Sequence, residues 1–395
     1  MSPRKGKREI LEMDDDLMSK NEEQHGNHVL WDHSLPQDVW ENVLLWLPLE
    51  SICRFSLVSK EWKALMSSTT FFRRYSETRN KHPWILVNHD SGHHWLRYDY
   101  YSRTWKILNF SWLSCFDGVR FEDSHRGIIL FCLSESSHIS RVCNPLKAGT
   151  SFKLPRMLSA NEWHFYIYAW GILVVDDNKG YKVVQAGANR YGVNVGNGTI
   201  EIYDSSMGTW RIVARLRDCF FYGPVVFNNN FFFLMSYEPM LGVRIYNTQD
   251  YATMHFVLLP VRYGRDHFPH YRPRLVVSEE RVLLATPIVD GDHLKDIIVF
   301  ELELEFGRRR GNVWSWKEIA RMPHAMCQCI SVRKRIFLFS CTTVGEFLCF
   351  RKVFSRNILI LCFHLKQGSW LWLPEYINTT NICYNGDIAF EPRMI

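Results

Sequence analysis

Several features that would assign a function at once are missing from this 395-residue chain. Its eleven cysteines are odd in number and include no Cys-x-x-Cys pair, which together with the lack of a signal peptide indicates reduced thiols. The longest apolar runs, such as Ile358–Phe363, are far shorter than the ~18–20 residues that cross a bilayer. Lysine plus arginine exceeds aspartate plus glutamate by only six, well short of a dedicated nucleic-acid binder. We therefore expect a protein of the cytoplasm or nucleus that has no membrane partner and is not a dedicated nucleic-acid binder.

Catalytic and metal-binding motifs are missing as well. The chain has no Gly-x-Ser-x-Gly, His-Glu-x-x-His, Walker loop or strand-linked Gly-x-Gly-x-x-Gly. The run Asp290, Asp292, His293 is typical of a turn, and His324, Cys327, Cys329 lacks the second ligand pair that a structural zinc site needs. We expect no catalytic residue, no metal and no cofactor.

Three regions follow one another along the chain. Residues 1–30 are polar, with a basic cluster and then an acidic one, and are predicted to be a disordered tail whose basic cluster could serve as a nuclear signal. Residues 31–80 carry helical periodicity and a capping box with Pro36 in the first turn. Three short helices are predicted there, and the first bears an apolar stripe formed by Val39, Val43, Leu44 and Leu47. So small a helical unit is expected to complete its core against a partner or the rest of the chain.

Residues 81–395 have the texture of short strands broken by turn residues, and they contain a repeat. In its clearest copies an aromatic residue precedes a tryptophan by seven positions, and weaker copies begin at residues 143, 246 and 300. The average spacing of the six starts is about 53 residues, close to the ~50 of a kelch blade. The three clear copies are Tyr98 with Trp105, Tyr203 with Trp210, and Phe363 with Trp370.

This repeat predicts a mostly-β fold, a six-bladed kelch-like β-propeller preceded by a small three-helix module. Each tryptophan is expected on an outer return strand, packed against the neighbouring blade, because a single four-stranded sheet cannot bury both of its faces. The repeat also gives the high aromatic content, 26 Phe, 17 Tyr and 15 Trp, a packing role. An eight-stranded barrel with an extra sheet is the alternative architecture.

The helical region resembles an F-box. The resemblance is carried by Leu35-Pro36, by Leu47-Pro48-Leu49, and by Val58-Ser59-Lys60 ahead of Trp62. The rest of the chain is similar to plant F-box/kelch-type propeller proteins, through phrases such as Cys143-Asn144-Pro145-Leu146 and Ile388-Ala389-Phe390-Glu391-Pro392. It departs from kelch repeats in having no Gly-Gly pair.

The resemblance implies a non-catalytic substrate-recognition subunit of a Skp–cullin–F-box ubiquitin ligase. The F-box would bind a Skp-type adaptor, and through it cullin and RING subunits, while the propeller would bind the target protein. Carried over position by position, the residues that would form or brace the adaptor surface are Leu35, Pro36, Val39, Leu44, Leu47, Pro48, Ile52, Val58 and Trp62.

A long connection between strands is the candidate target-binding segment. It combines arginines with aromatic and histidine side chains, a composition typical of binding hot spots. It could hold an acidic or phosphorylated degron or, as the less favoured ligand, nucleic acid, or it could be a solvated loop. The candidate residues are Arg262, Tyr263, Arg265, His267, His270, Tyr271 and Arg272.

Two other functions remain open from the sequence. One is an F-box scaffold or transcriptional co-regulator that recruits a partner without degrading it. The other, least favoured, is a propeller enzyme.

Overall fold

The computed structural model divides the chain into two compact units, residues 1–43 and 44–395, and the first helix runs through the division. Within the part of the chain that is described, no helix is both long enough and apolar enough to cross a bilayer. The described residues are 36–47, 49–55, 58–66, 68–78, 84–88, 94–99, 103–109, 119–133, 140–144, 151–161, 165–175, 180–191, 194–217, 219–227, 230–237, 240–247, 253–261, 273–278, 281–290, 293–307, 311–330, 339–352, 357–377 and 388–390.

Over the described residues, four helices precede the first strand, one more than the predicted three-helix module. The first three lie where the sequence placed them. The fourth was missed because its segment reads as polar, although Ser68 caps it by accepting the N–H of Phe71 at 3.1 Å. The helices are α1 (Gln37–Leu45), α2 (Leu49–Phe55), α3 (Lys60–Met66) and α4 (Thr69–Glu77), and α5 (His324–Ile330) and a 3-10 helix (Leu158–Asn161) follow later.

The described strands form six four-stranded antiparallel sheets and one two-stranded sheet. Sheet 1 contains β1 (Trp84–Asn88), β2 (His94–Asp99), β3 (Thr104–Asn109) and the last strand, β26 (Ile388–Phe390). Sheet 2 contains β4 (Val119–His125), β5 (Ile128–Leu133), β6 (Ser140–Cys143) and β7 (Ser151–Lys153). Sheet 3 contains β8 (Phe165–Val174), β9 (Tyr181–Tyr191), β10 (Asn194–Asp204) and β11 (Thr209–Leu216).

Sheets 4 to 6 also take their four strands in the order in which these occur along the chain. Sheet 4 contains β12 (Cys219–Phe227), β13 (Asn230–Tyr237), β14 (Met240–Asn247) and β15 (Thr253–Leu258). Sheet 5 contains β16 (Arg274–Ser278), β17 (Arg281–Asp290), β18 (His293–Gly307) and β19 (Gly311–Arg321). Sheet 6 contains β20 (Phe339–Val344), β21 (Phe347–Lys352), β23 (Ile360–His364) and β24 (Ser369–Trp372), while β22 (Asn357–Ile358) pairs with β25 (Tyr376–Ile377).

One edge strand of each sheet contacts the edge strand of the next. The contacts run from β26 to β4, β8, β12, β16 and β20 and return to β26. Sheets 2 to 5 are each built from four consecutive strands, and sheet 6 keeps the chain order with β22 between its second and third strands. Sheet 1 instead pairs β1 with β26, so that Trp84 lies opposite Phe390. The mostly-β propeller prediction is therefore confirmed, and the alternative of an eight-stranded barrel is wrong.

The aromatic repeat forms the same hairpin in its three clear copies. In each hairpin the two aromatic residues are directly paired across the third and fourth strands of a sheet. Their ring centroids are 5.2 Å apart for Tyr98 and Trp105, 5.5 Å for Tyr203 and Trp210, and 4.8 Å for Phe363 and Trp370. Among the weaker copies, Phe300 lies in the middle of β18 and not at a strand end.

The turn of this hairpin needs a left-handed residue just before the return strand. Gly208 and Gly368 occupy that position with φ of 68° and 66°, and each donates its N–H to the carbonyl of the residue four positions earlier. Arg103 stands at the matching position of the first copy with φ of 51°, where a side chain is sterically unfavourable.

The tryptophans of the return strands also tie neighbouring sheets together. Trp105 donates its indole N–H to the carbonyl of Pro374 at 2.8 Å, and Trp210 donates to that of Pro155 at 2.8 Å. Trp316 makes the same bond to the carbonyl of Leu258 at 2.9 Å. In all three the acceptor lies at the end of the preceding sheet, as the packing role inferred from the repeat requires.

Candidate partner-binding site

The first described turn of the F-box-like region is built by Pro36. Its carbonyl accepts the N–H groups of Val39 at 2.9 Å and Trp40 at 3.2 Å, which starts α1. Val39 and Val43 are four residues apart and so lie on the same face of this helix. They are 37% and 45% exposed. This face of α1 therefore presents apolar side chains to solvent.

From residue 44 onward, the helices enclose a small apolar core. The hydroxyl of Tyr75 crosses this core and donates to the carbonyl of Leu47 at 3.0 Å. Ser59 caps α3 by accepting the N–H of Trp62 at 3.1 Å, which explains the Val-Ser-Lys-x-Trp phrase. The buried members are Leu44, Leu45, Ile52, Met66, Phe71 and Tyr75, with Leu47, Phe55, Trp62, Leu65 and Trp84 packed against them.

Two apolar side chains of the same unit remain outside that core. Trp46, just after α1, is 60% exposed, and Val58, just before α3, is 68% exposed. Side chains of this size are costly to leave in water without a partner, at about 25 cal/mol per Å² of apolar surface. They make the helical region a candidate docking surface.

The helical core is joined to the propeller at Trp84, the first residue of β1. Trp84 packs against the helical core, and its ring holds the guanidinium of Arg97 at 4.3 Å. Arg97 itself is buried in sheet 1, 3.7 Å from the carboxylate of Asp99. Side-chain packing, in addition to the covalent chain, therefore connects the helices from residue 44 onward to the propeller.

The predicted adaptor residues fall into three groups in the structure. Pro36, Val39 and Val58 are exposed, whereas Leu44 and Ile52 are buried and can only brace a surface. Leu47 and Trp62 are half-buried on the helical core. The apolar stripe expected on α1 is therefore split, since Leu44 faces inward while Val39 and Val43 face solvent. The remaining two predicted residues, Leu35 and Pro48, lie outside the described residues.

The predicted target-binding residues all lie outside the described residues as well. These are Arg262, Tyr263, Arg265, His267, His270, Tyr271 and Arg272. The described chain stops at Val261 and resumes at Pro273, at the two ends of a connection from β15 in sheet 4 to β16 in sheet 5.

Helix α5 carries His324, Cys327 and Cys329, the run that the sequence offered as a possible metal site, and places them in different environments. Cys327 is buried in α5, whereas His324 and Cys329 are exposed. The ring of His324 lies 3.0 Å from the amide nitrogen of Gln328. Over the described ranges, no three His, Cys, Asp or Glu side chains are grouped as metal ligands would be.

Comparison with known proteins defines the class of the helical region. A family model described as the F-box domain matches residues 33–74, which covers α1 to α3 and most of α4. The chain therefore combines an N-terminal F-box domain with a mostly-β propeller. It is also homologous to a protein of Arabidopsis thaliana named "F-box only protein 6", with 24% identity over 308 residues. The match covers 75% of this chain and 60% of the relative, so the chain spans less than two thirds of that relative's length.

Solved structures give only distant likenesses. A chain of a nidogen/laminin complex has a TM-score of 0.46 and 9% identity, over 80% of this chain and 100% of that chain. The Dos1 propeller scores 0.41 with 10% identity, over 74% and 69%. An oligogalacturonate lyase in complex with manganese scores 0.39 with 8% identity, over 70% and 69%. Likenesses of this size carry no inference about this chain.

Proposed function

We propose that this chain is a substrate-recognition subunit of a Skp–cullin–F-box ubiquitin ligase, with no catalytic role of its own. The match of residues 33–74 to the F-box domain carries the proposal, since such domains bind Skp-type adaptors. The exposed apolar side chains of the helical region support it, because an adaptor would remove them from water.

Val39 and Val43 are the proposed contact residues on α1. Trp46 and Val58 are proposed as further exposed apolar residues of the F-box domain. Of the residues carried over from the family, Leu44 and Ile52 would act by holding the helices in place. Their burial at 2% exposure leaves them no area to offer a partner.

We further propose that the six four-stranded sheets are the six blades of one closed, kelch-like propeller. The cycle of contacts among the edge strands supports this count. The pairing of β26 with β1 supports closure, because it joins the two ends of the propeller within one sheet. Target proteins would bind at the connections between blades, with residues 262–272 as the first candidate segment.

The mechanism that follows is proximity. The F-box domain would fix one end of the chain to the ligase and the propeller would hold the target, so that a target lysine meets the charged conjugating enzyme at high effective concentration. Packing of Trp84 against the helical core from residue 44 onward supports a defined placement of that core on the propeller, because both belong to the second compact unit.

Co-purification of the full chain with a Skp-type adaptor tests the proposal. We expect the wild-type chain to retain the adaptor and Val43→Glu to lose it, since a carboxylate replaces an apolar contact at a buried interface. Met207→Glu is the matched control, because Met207 is also an exposed apolar residue, at 75%, but lies in a turn of sheet 3. Equal adaptor recovery for all three chains would refute adaptor binding through this surface.

A second measurement separates degradation from recruitment. Targets captured by the Val43→Glu chain should accumulate in cells, and their half-lives should lengthen when the wild-type chain is depleted. Adaptor binding with unchanged target half-lives would instead support the scaffold function.

A further inference from the structure

Two cysteines of sheet 6 face each other across neighbouring strands. Cys349 on β21 is directly paired with Cys362 on β23, and their sulfur atoms are 3.0 Å apart. A disulfide bond is about 2.05 Å long, so a shift of about 1 Å would join them. We propose that Cys349 and Cys362 are an oxidative modification site, a dithiol that a peroxide converts to a disulfide.

The geometry selects this pair among the described cysteines. Cys341, on the adjacent strand β20, is paired with Phe350 and packs in the core cluster on the opposite face of the sheet from Cys349. Cys132 and Cys143 lie on neighbouring strands but are offset, since their direct partners are Ser140 and Ile129. Only Cys349 and Cys362 are direct cross-strand partners of each other within the described sheets.

The pair lies at the boundary between sheet 6 and the sheet that joins the two ends of the propeller. Both thiols belong to a core cluster that includes Ile85, Val87 and Leu96 of sheet 1, and they are 2% and 0% exposed. Burial raises the pKa of the Cys362 thiol well above its ordinary value, so little reactive thiolate is present in the closed structure. Oxidation therefore depends on transient opening of this boundary.

The reaction balances with the peroxide as the oxidant. One thiolate attacks an oxygen of hydrogen peroxide, forming a sulfenic acid and releasing hydroxide. The second thiol then attacks the sulfenic sulfur, forming the S–S bond and releasing water. The two sulfurs lose two electrons in total, and the peroxide is reduced to two molecules of water.

The disulfide would staple β21 to β23 and limit opening of sheet 6. It closes the chain between residues 349 and 362, which reduces the freedom of the unfolded state. We expect the oxidised chain to unfold at a higher urea concentration than the reduced chain and to regain the original midpoint after reduction by dithiothreitol.

Peptide mapping of the full chain tests the site. The reduced chain is treated with hydrogen peroxide, the remaining thiols are alkylated, and the chain is cleaved after lysine and arginine. Residues 336–351 and 357–366 should then be recovered as one linked species that dithiothreitol separates. Because residues 336–351 contain both Cys341 and Cys349, a Cys341→Ser chain removes the ambiguity, and fragmentation of the linked wild-type peptides gives the same assignment.

Other cysteines provide the controls. Cys132 and Cys143 are buried without facing each other and should stay alkylatable, whereas the exposed Cys329 should oxidise without forming this link. Low urea concentrations that leave the fold intact should speed the Cys349–Cys362 link. In Cys349→Ser the link should disappear and Cys362 should remain a thiol.

Three outcomes would overturn the proposal. The first is that Cys329 is oxidised while the Cys349–Cys362 link is absent, with and without low urea. The second is that Cys362 links to Cys341 as readily as to Cys349. The third is that links form only after complete unfolding, with no preference for this pair.

Discussion

The indole of Trp210 offers a direct test of how neighbouring sheets are held together. Trp210 is 8% exposed, lies against Tyr203 within sheet 3, and donates its N–H at 2.8 Å to the carbonyl of Pro155 after sheet 2. Trp210→Phe removes that donor and part of the ring while keeping an aromatic side chain on the strand. The variant therefore weakens the junction between the two sheets with little change to the strand itself.

The expected loss follows from the bond and the lost ring area. A net hydrogen bond contributes about 1 kcal/mol, and the smaller ring forfeits further apolar contact of roughly 1 kcal/mol. We expect Trp210→Phe to lower the free energy of unfolding by about 2 kcal/mol. Trp210→Ala should cost about 3–5 kcal/mol, because the cavity it leaves adds to the loss.

Urea unfolding followed by far-ultraviolet circular dichroism measures this loss without depending on tryptophan fluorescence. Trp46→Phe is the matched control, because Trp46 is 60% exposed, and its free energy of unfolding should change by less than about 0.5 kcal/mol. Equal unfolding midpoints for Trp210→Phe and Trp46→Phe would refute a stabilising role for the indole bond.

Three further predictions concern single side chains in the propeller. Arg103 has a φ of 51°, which glycine adopts without strain, so Arg103→Gly should raise the free energy of unfolding by about 0.5–1 kcal/mol. Gly208→Ala should lower the free energy of unfolding by about 1 kcal/mol, because Gly208 has a φ of 68°. The opposite order of urea midpoints would contradict the turn assignment. Burial raises the pKa of Asp123 from 3.8 to about 7, against the hydrogen bond that it accepts from the N–H of Ile172. Between about pH 4 and pH 7 the folded state therefore holds a proton on Asp123 that the unfolded state has lost. The stabilisation of the folded state by this proton is complete below about pH 4 and is lost as the pH rises through 7. Wild type should therefore lose roughly 3 kcal/mol relative to Asp123→Asn between pH 5 and 8 in urea titrations, and parallel pH profiles would exclude this titration. Glu201 is fully buried and accepts, among other hydrogen bonds, one from the N–H of Leu158 at 2.7 Å. Glu201→Ala should therefore lower the free energy of unfolding by about 3 kcal/mol, and Glu201→Gln should lower it by less. A thermal unfolding curve unchanged in Glu201→Ala would contradict this prediction.

Local patterns along the chain were sufficient to predict the hairpins of the three clear repeat copies. The seven-residue separation of Tyr98 from Trp105 corresponds to direct pairing across a turn, so the sequence spacing and the structural contact report the same feature. The helices α1 to α3 were predictable for a similar reason, since caps such as Ser59 lie within three residues of the groups they bind.

Contacts between distant segments could not be read in this way. Trp105 and its hydrogen-bond acceptor Pro374 are 269 positions apart, and the sequence around either residue gives no indication that they are in contact. Helix α4 was missed because its segment is mostly polar, although Phe71 and Tyr75 are buried in the helical core and the cap at Ser68 was a usable signal.

The sequence predicted where the candidate site lies along the chain better than it predicted which of the site's side chains are exposed. Family motifs marked residues 35–62, but they did not separate the buried Leu44 and Ile52 from the exposed Val39 and Val58. Val43 and Trp46, both exposed, were not among the predicted contacts. Orientation on a helix of nine residues depends on where its neighbours pack, and that information lies in α2 to α4.

The central claim, that the F-box domain binds a Skp-type adaptor through its exposed apolar side chains, is tested most directly by isothermal titration of the full chain with purified adaptor. We predict saturable binding by wild type and by Met207→Glu with the same Kd, and a Kd at least about tenfold higher for Val43→Glu, corresponding to about 1.4 kcal/mol of lost binding free energy. Absence of binding by the folded wild-type chain, or one common Kd for all three chains, would contradict the account.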